Sequence, residues 1–183
     1  MWSRRGVHAV LVLAGLCRLA AADETADIPD WSPGPATVAV TPFENHIVNG
    51  KSSEWMIAET PFEIAEKSEA VLGLDATGAP LYVPGEAVPA EPDTVAAYGI
   101  KTGADYVVTG WYDRPGEVLR IAVLIWKMQK GKATLVAQSL KSGPPASYHR
   151  ILGDAIGDAW AKVGIPIDVA RAERLGRTLA ADE

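Results

Sequence analysis

The chain has 183 residues, 48% hydrophobic and 22% charged, with a formal net charge of −6 and one cysteine, Cys17. That balance suits one globular domain with a sizeable core and excludes a disordered tail, a collagen-like fibre and a coiled coil. An acidic chain has no sequence-independent grip on nucleic-acid phosphates, and one cysteine excludes an internal disulfide framework and a Cys-based zinc site.

Residues 1–22 read as an address. Arg4 and Arg5 precede a short apolar run from Gly6 to Leu16, and Arg18 is followed by Leu19-Ala20-Ala21-Ala22. A positive head, a run of about ten apolar residues and a small-x-small end make a secretory signal, with cleavage expected after Ala22. The run is too short to span a bilayer, which needs about 20 apolar residues. A rival reading anchors Cys17 to lipid at the outer membrane, because Leu13-Ala-Gly-Leu-Cys17 resembles a lipobox; the bulky Leu16 before the cysteine argues against it. Cleavage would remove three arginines and no acid, leaving a cysteine-free chain of net charge −9. Such a chain suits an oxidising compartment, so the expected location is the periplasm.

Residues 23–36 are polar and proline-rich, an extended leader. Thr37 to Thr41 is β-rich and ends at Pro42, a first strand, and Phe43 to Ser53 reads as a loop. A short helix starts at Ser53. Pro61 is expected to break it, with a fresh helix from Pro61 to Glu69 capped by Thr60. Ala70 to Leu74 is a candidate second strand. Residues 75–92 are dense in proline and glycine, an irregular excursion that includes Leu81-Tyr82-Val83 as a short edge strand. Asp93 is expected to cap a helix that ends near Thr102 before Gly103.

Three strong strands follow, Asp105–Tyr112, Glu117–Met128 and Lys132–Leu140, joined by turns at Arg114-Pro-Gly-Glu117 and Gln129-Lys-Gly-Lys132. A helix from Ser147 to Val163 carries the stripe Ile151, Leu152, Ala155, Ile156, Ala159, Trp160 and Val163. Asp168 can cap a last helix to about Leu179. The expected fold is therefore α/β: a mixed sheet of about five strands in the order strand, helix, strand, helix, three-strand meander, helix, with helices packed on it. Residues 37–164 form the domain and 165–183 the C-terminal helix.

Val38-Ala-Val-Thr-Pro42-Phe43-Glu44-Asn45 resembles the opening strand of the TolB amino-terminal domain and of CsgG-like and FlgO-like proteins. Gly103-Ala-Asp-Tyr-Val-Val-Thr-Gly110 is similar to a second strand of the same group, and the likeness covers about residues 37–164. Broken helix and excursion depart from the pattern. The resemblance implies a periplasmic or outer-membrane-associated assembly or adaptor module without catalytic residues in this region.

The residues themselves give no chemistry that converges. Asn45 to Ser52 imitates a phosphate-binding loop through Gly50, Lys51 and Ser52, but Asn45 stands where the first glycine belongs. His46 and His149 have no ligand at metal-site spacing. Glu63, Glu66 and Glu69, like Arg171, Arg174 and Arg177, read as solvated helix faces. No catalytic residue, metal or cofactor is therefore expected. The expected role is a non-enzymatic exported adaptor of the cell envelope that binds an envelope protein or a second copy. A periplasmic module holding a peptide or small ligand near Tyr82 is the alternative.

Strand register locates the interaction candidates. A tight turn at Arg114–Glu117 sets Tyr112 opposite Leu119, Gly110 opposite Ile121, Val108 opposite Val123 and Tyr106 opposite Ile125, with Ile125 then opposite Val136. These share one face, which helices should cover. The other face carries Val107, Thr109, Trp111, Arg120, Ala122, Leu124, Trp126, Leu135 and Ala137. It places Trp111 opposite Arg120 for a cation–π contact and, with Trp126, offers residue types enriched at binding hot spots. Either the C-terminal helix covers this face through Val169, Ala172, Leu175 and Leu179, or a partner does.

Overall fold

The computed structural model describes residues 36–47, 54–74 and 89–177. Strand β1 is Val38–Val40 and β2 is Glu44–Asn45, followed by helix α1, Glu54–Ala70, and helix α2, Pro92–Thr102. The meander is β3, Tyr106–Asp113, β4, Leu119–Gln129, and β5, Lys132–Gly143. A single 3₁₀ turn leads into α3, Tyr148–Lys162, and α4, Val169–Leu175, ends the described chain. The fold is α/β, a five-stranded mixed sheet in which β1 and β2 lie parallel to β3, and β3, β4 and β5 are antiparallel in that order.

One face of the sheet holds the main core. Val38, Val40, Tyr106, Val108, Ile121, Val123 and Ile125 point into it, and α1 and α3 close over them. The stripe on α3 behaves as its spacing predicts: Ile151, Leu152, Ala155, Ile156, Ala159 and Trp160 are all buried. Tyr106 meets the edge of the Trp160 ring at 5.5 Å between centroids. Thr60 and Tyr148 share a 2.7 Å hydrogen bond between α1 and α3. Burial pushes the Tyr148 hydroxyl pKa far above its usual value, so the ring stays neutral there.

Several local expectations are corrected. Pro61 sits inside one continuous helix, α1, instead of starting a new one. A proline costs a helix interior about 3 kcal/mol, and burial of Pro61, Ile64, Lys67 and Ser68 along the same helix outweighs it. Ala70 to Leu74 is the end of that helix, not a strand. Gly73, at φ 69°, donates to the Glu69 carbonyl, the bond of an αL cap, and the Leu74 amide reaches back to the Ser68 carbonyl. Buried Leu74 is the apolar residue such a cap tucks in, which is why the run imitates a strand. The fifth strand is β2, inside the segment expected as a loop, where Asn45 Oδ1 also accepts from the Ile47 amide at 2.9 Å. Helix α2 is entered through Glu91 and Pro92, not capped by Asp93, and Gly103 closes it at φ 67°.

The meander register is two residues away from the expected one: Tyr112 opposes Ile121, Gly110 opposes Val123, Val108 opposes Ile125 and Tyr106 opposes Lys127. The reversal at Arg114 is a longer loop, pinned by an Arg114–Glu117 ion pair at 2.8 Å, and not a tight turn. A shift of two preserves which face each residue occupies. A bulge between Ile125 and Trp126 does not: Ile125 pairs with Ala137 and Trp126 with Leu135, leaving Val136 as the extra residue. Ala137 therefore belongs to the main-core face and not, as expected, to the other.

Helix α4 is shorter than expected, and Leu179 lies outside the described residues. Asp168 caps it as predicted, its carboxylate accepting from the Arg171 amide at 2.7 Å. It does not cover the second sheet face. It docks on α3, with Leu175 buried in the main core and Val169 76% exposed. Gly153 makes that approach close, since a Cβ there would overlap the Leu175 carbonyl.

Lys67 fastens the same junction from α1. It is fully buried, pairs with Glu63 at 2.7 Å and donates to the Leu175 carbonyl at the negative end of α4. Glu63 in turn meets His149 Nδ1 at 3.0 Å, so the expected solvated face of α1 is partly a clasp between three helices. Lys67→Met should fill the same volume but orphan the carbonyl, costing about 2 kcal/mol. Chemical denaturation of the purified chain measures this, and an unchanged midpoint would show that the clasp contributes nothing.

Candidate functional site

The second sheet face divides in two. Over one half, α2 lays Val95 against Ala39, Ala104, Val107 and Trp126, with Tyr98, Leu124, Met128 and Ala133 around them. Trp126 is only 4% exposed, and its indole Nε1 donates to Thr109 Oγ1 at 2.9 Å. This tryptophan is held inside the chain by α2, a helix that neither reading of the sequence named as the cover.

The other half is open among the described residues. Cross-strand rows run Glu44, Trp111, Ala122, Leu140 and, beside it, Leu124 and Gln138. Leu140 is 54% exposed and Trp111 is half-buried, whereas exposed Leu135 lies in the row of Trp126 and exposed Val136 is the bulged residue. Strand β5, which supplies these leucines, is the outer strand of the sheet. Its Gln138 carbonyl accepts from Lys162 Nζ at 2.8 Å, a cation set against the strand edge. Lys162 also binds Asp158 at 2.8 Å, a hydrogen bond that holds the Asp158 carboxyl below its usual pKa.

Arg120 is not opposite Trp111, so the expected cation–π pair does not form. The two-residue register shift sets Trp111 against Ala122 and Arg120 against Asp113. Arg120 grips that carboxylate with two donors, Nε reaching Oδ1 at 2.7 Å. Trp111 instead stacks on His46, centroids 5.8 Å apart and planes 17° apart. Glu44 organises this corner: its carboxylate takes His46 Nε2 at 3.0 Å and the Ala90 amide at 3.2 Å. The His46–Trp111 stack follows from β2, which was not recognised in the sequence.

Tyr82 and the phosphate-loop-like Gly50, Lys51 and Ser52 lie outside the described residues. Two cavities flank α4, the larger of about 410 Å³ between Arg150, Asp154, Val169, Glu173 and Arg177, and neither touches Trp111, Arg120 or Trp126. Among the described residues no group of three His, Cys, Asp or Glu side chains converges as a metal site. No described helix is long and apolar enough to cross a membrane.

No protein-family model matches the chain, and no curated protein matches it. Among solved structures, the LpoB C-terminal domain from Salmonella enterica is similar at 11% identity, over 60% of this chain and 83% of that one, with a TM-score of 0.35. Lipoprotein GNA1162 from Neisseria meningitidis is similar at 18% identity, over 60% and 81%, with a TM-score of 0.36. The hypothetical protein CT253 from Chlamydia trachomatis is similar at 18% identity, over 81% and 95%, with a TM-score of 0.38. Likeness at this level carries no statement about function.

Proposed function

We propose that this chain is an exported, non-enzymatic adaptor or assembly factor of the bacterial cell envelope, of the TolB amino-terminal and CsgG-like kind, which offers the open half of its sheet to a protein partner. The observation that carries the reading is that open half: exposed Leu140 stands in the same cross-strand row as half-buried Trp111, with exposed Gln138 in the next row. Apolar surface of this sort on a sheet face that no described element covers is what an interface uses. Trp111 and Arg120 are its proposed contact residues, and Trp126 lies on the same face under α2. The ionisable side chains that the fold brings together serve as fasteners, Glu63 with Lys67, Asp113 with Arg120 and Asp158 with Lys162, which supports a role without catalysis.

Export rests on residues 1–22, and the two motifs that suggested the family meet in space, since Phe43 of the first packs against Gly110 of the second. N-terminal sequencing of protein from cells should start at Asp23. A start at a lipidated Cys17 would place it on a membrane instead, and retention of Met1 would refute export. A photo-cross-linking residue in place of Leu140 should capture an envelope protein or a second copy. Cross-links confined to the chain's own residues 75–88 would overturn the interface.

A further inference from the structure

We infer that the end of the molecule formed by the β4–β5 turn and the C-terminus of α2 docks on an anionic phospholipid bilayer. Lys130 and Lys132 stand on or beside that turn, and Lys101 occupies the last turn of α2. Among the described residues none of these three lysines makes an ion pair. In a chain of net charge −6, three uncompensated cations at one end form a local field of the opposite sign. Asp105, just before β3, is hydrogen-bonded by the Thr37 amide at 2.9 Å and the Thr37 hydroxyl at 3.0 Å.

The lysines share that end with an exposed apolar side chain. Ile100 is 62% exposed, and a Cβ on Gly131 would lie 3.8 Å from its Cδ1, so helix end and strand turn form one tip. Lys130 at φ 51° and Gly131 at φ 75° make the turn tight and keep its two flanking lysines at the apex. An exposed aliphatic side chain on the same tip as three lysines matches the boundary between anionic headgroups and acyl chains. An acidic protein surface would satisfy the lysines but would give Ile100 no apolar medium to enter.

Chain direction fixes where the leader joins this tip. Thr37, where the described domain begins, hydrogen-bonds to Gly103 and to Asp105, and the Asp105 carbonyl accepts from the Met128 amide at 2.8 Å. The residues before Thr37 therefore join the domain at this same end. Meeting an envelope bilayer rests on the export reading, whereas the binding itself does not.

The test is flotation of the full chain with vesicles of phosphatidylcholine alone and with about a third phosphatidylglycerol, at low salt. Each lysine near such a surface raises partitioning about fivefold, so wild type should prefer the anionic vesicles by on the order of a hundredfold. The variant K101E/K130E/K132E should lose that preference and keep whatever binding to neutral vesicles the apolar run provides. Ile100→Ser should weaken anionic binding without changing its salt dependence. If the triple variant melts early, Lys130→Gln with Lys132→Gln replaces it and should lose about 25-fold. Equal binding of wild type and variant to anionic vesicles would overturn the inference. So would retention on immobilised polyglutamate by a wild type that ignores anionic vesicles, which would point to an acidic protein.

Discussion

Gly110→Val should cost the protein about 4 kcal/mol or more, among the largest single-site losses available in this fold. Gly110 is the last residue of the Gly103–Gly110 motif and lies at the centre of β3, opposite Val123. A Cβ there would overlap both the Phe43 ring and the Ala122 carbonyl. The ring could retreat, but a carbonyl in the middle of a three-strand ladder cannot without breaking the sheet. Phe43→Leu in the same chain should therefore recover only part of the loss, and the double-mutant cycle should leave most of it with the backbone. Thermal and denaturant melts measure both. A Gly110→Val protein melting within a degree or two of wild type would show that this contact is not what the glycine is for.

Trp126→Ala should lose about 3–5 kcal/mol, as deletion of a core tryptophan does. Its indole fills the space between α2 and the sheet and satisfies Thr109 Oγ1. Trp111→Ala makes the instructive comparison. Trp111 is half-buried and rests on exposed His46, so its loss should cost about 1 kcal/mol while impairing partner capture through Leu140. If Trp126→Ala left the isolated chain near native stability, α2 would not be the cover that it is here. If Trp111→Ala destabilised as much as Trp126→Ala, the open half of the sheet would be core and the proposed interface would fail.

Much of the fold was legible because the repeating patterns were long. The α3 stripe and the three meander strands show many residues in phase, and alternation along a strand assigns faces even when the register is off by two. The same alternation brought Trp111 and Trp126 onto one face, which is correct, and gave them one fate, which is not. What separates them is tertiary: a helix of 11 residues covers one and leaves the other. Four features had no usable periodic signal. The bulge at Val136 adds a single residue with no glycine or proline to mark it. β2 is two residues long. Lys67, a charge on an acidic helix, reads as solvated until Leu175 from α4 arrives at its ammonium. Arg120 was set opposite the wrong residue because the loop length, and not the strand, chooses its partner. Gly73 was the one signal missed outright, since an αL glycine after an apolar helix end is legible as a cap.

Parallel pairing of β1 with β3 has a consequence for the order in which the molecule comes together. Thr37 and Asp105 are 68 positions apart, whereas the β4–β5 connection spans only Lys130 and Gly131. Closing the longer span costs roughly 2–3 kcal/mol more in chain entropy, and nothing is gained until both strands are present. The meander with α3 can form from neighbours alone, as low contact order favours. Val38 to Val40 leave the ribosome well before their partners Tyr106 to Val108. The first strand made is thus the last that can be placed, and until then the flank of β3 stands as an unfilled template.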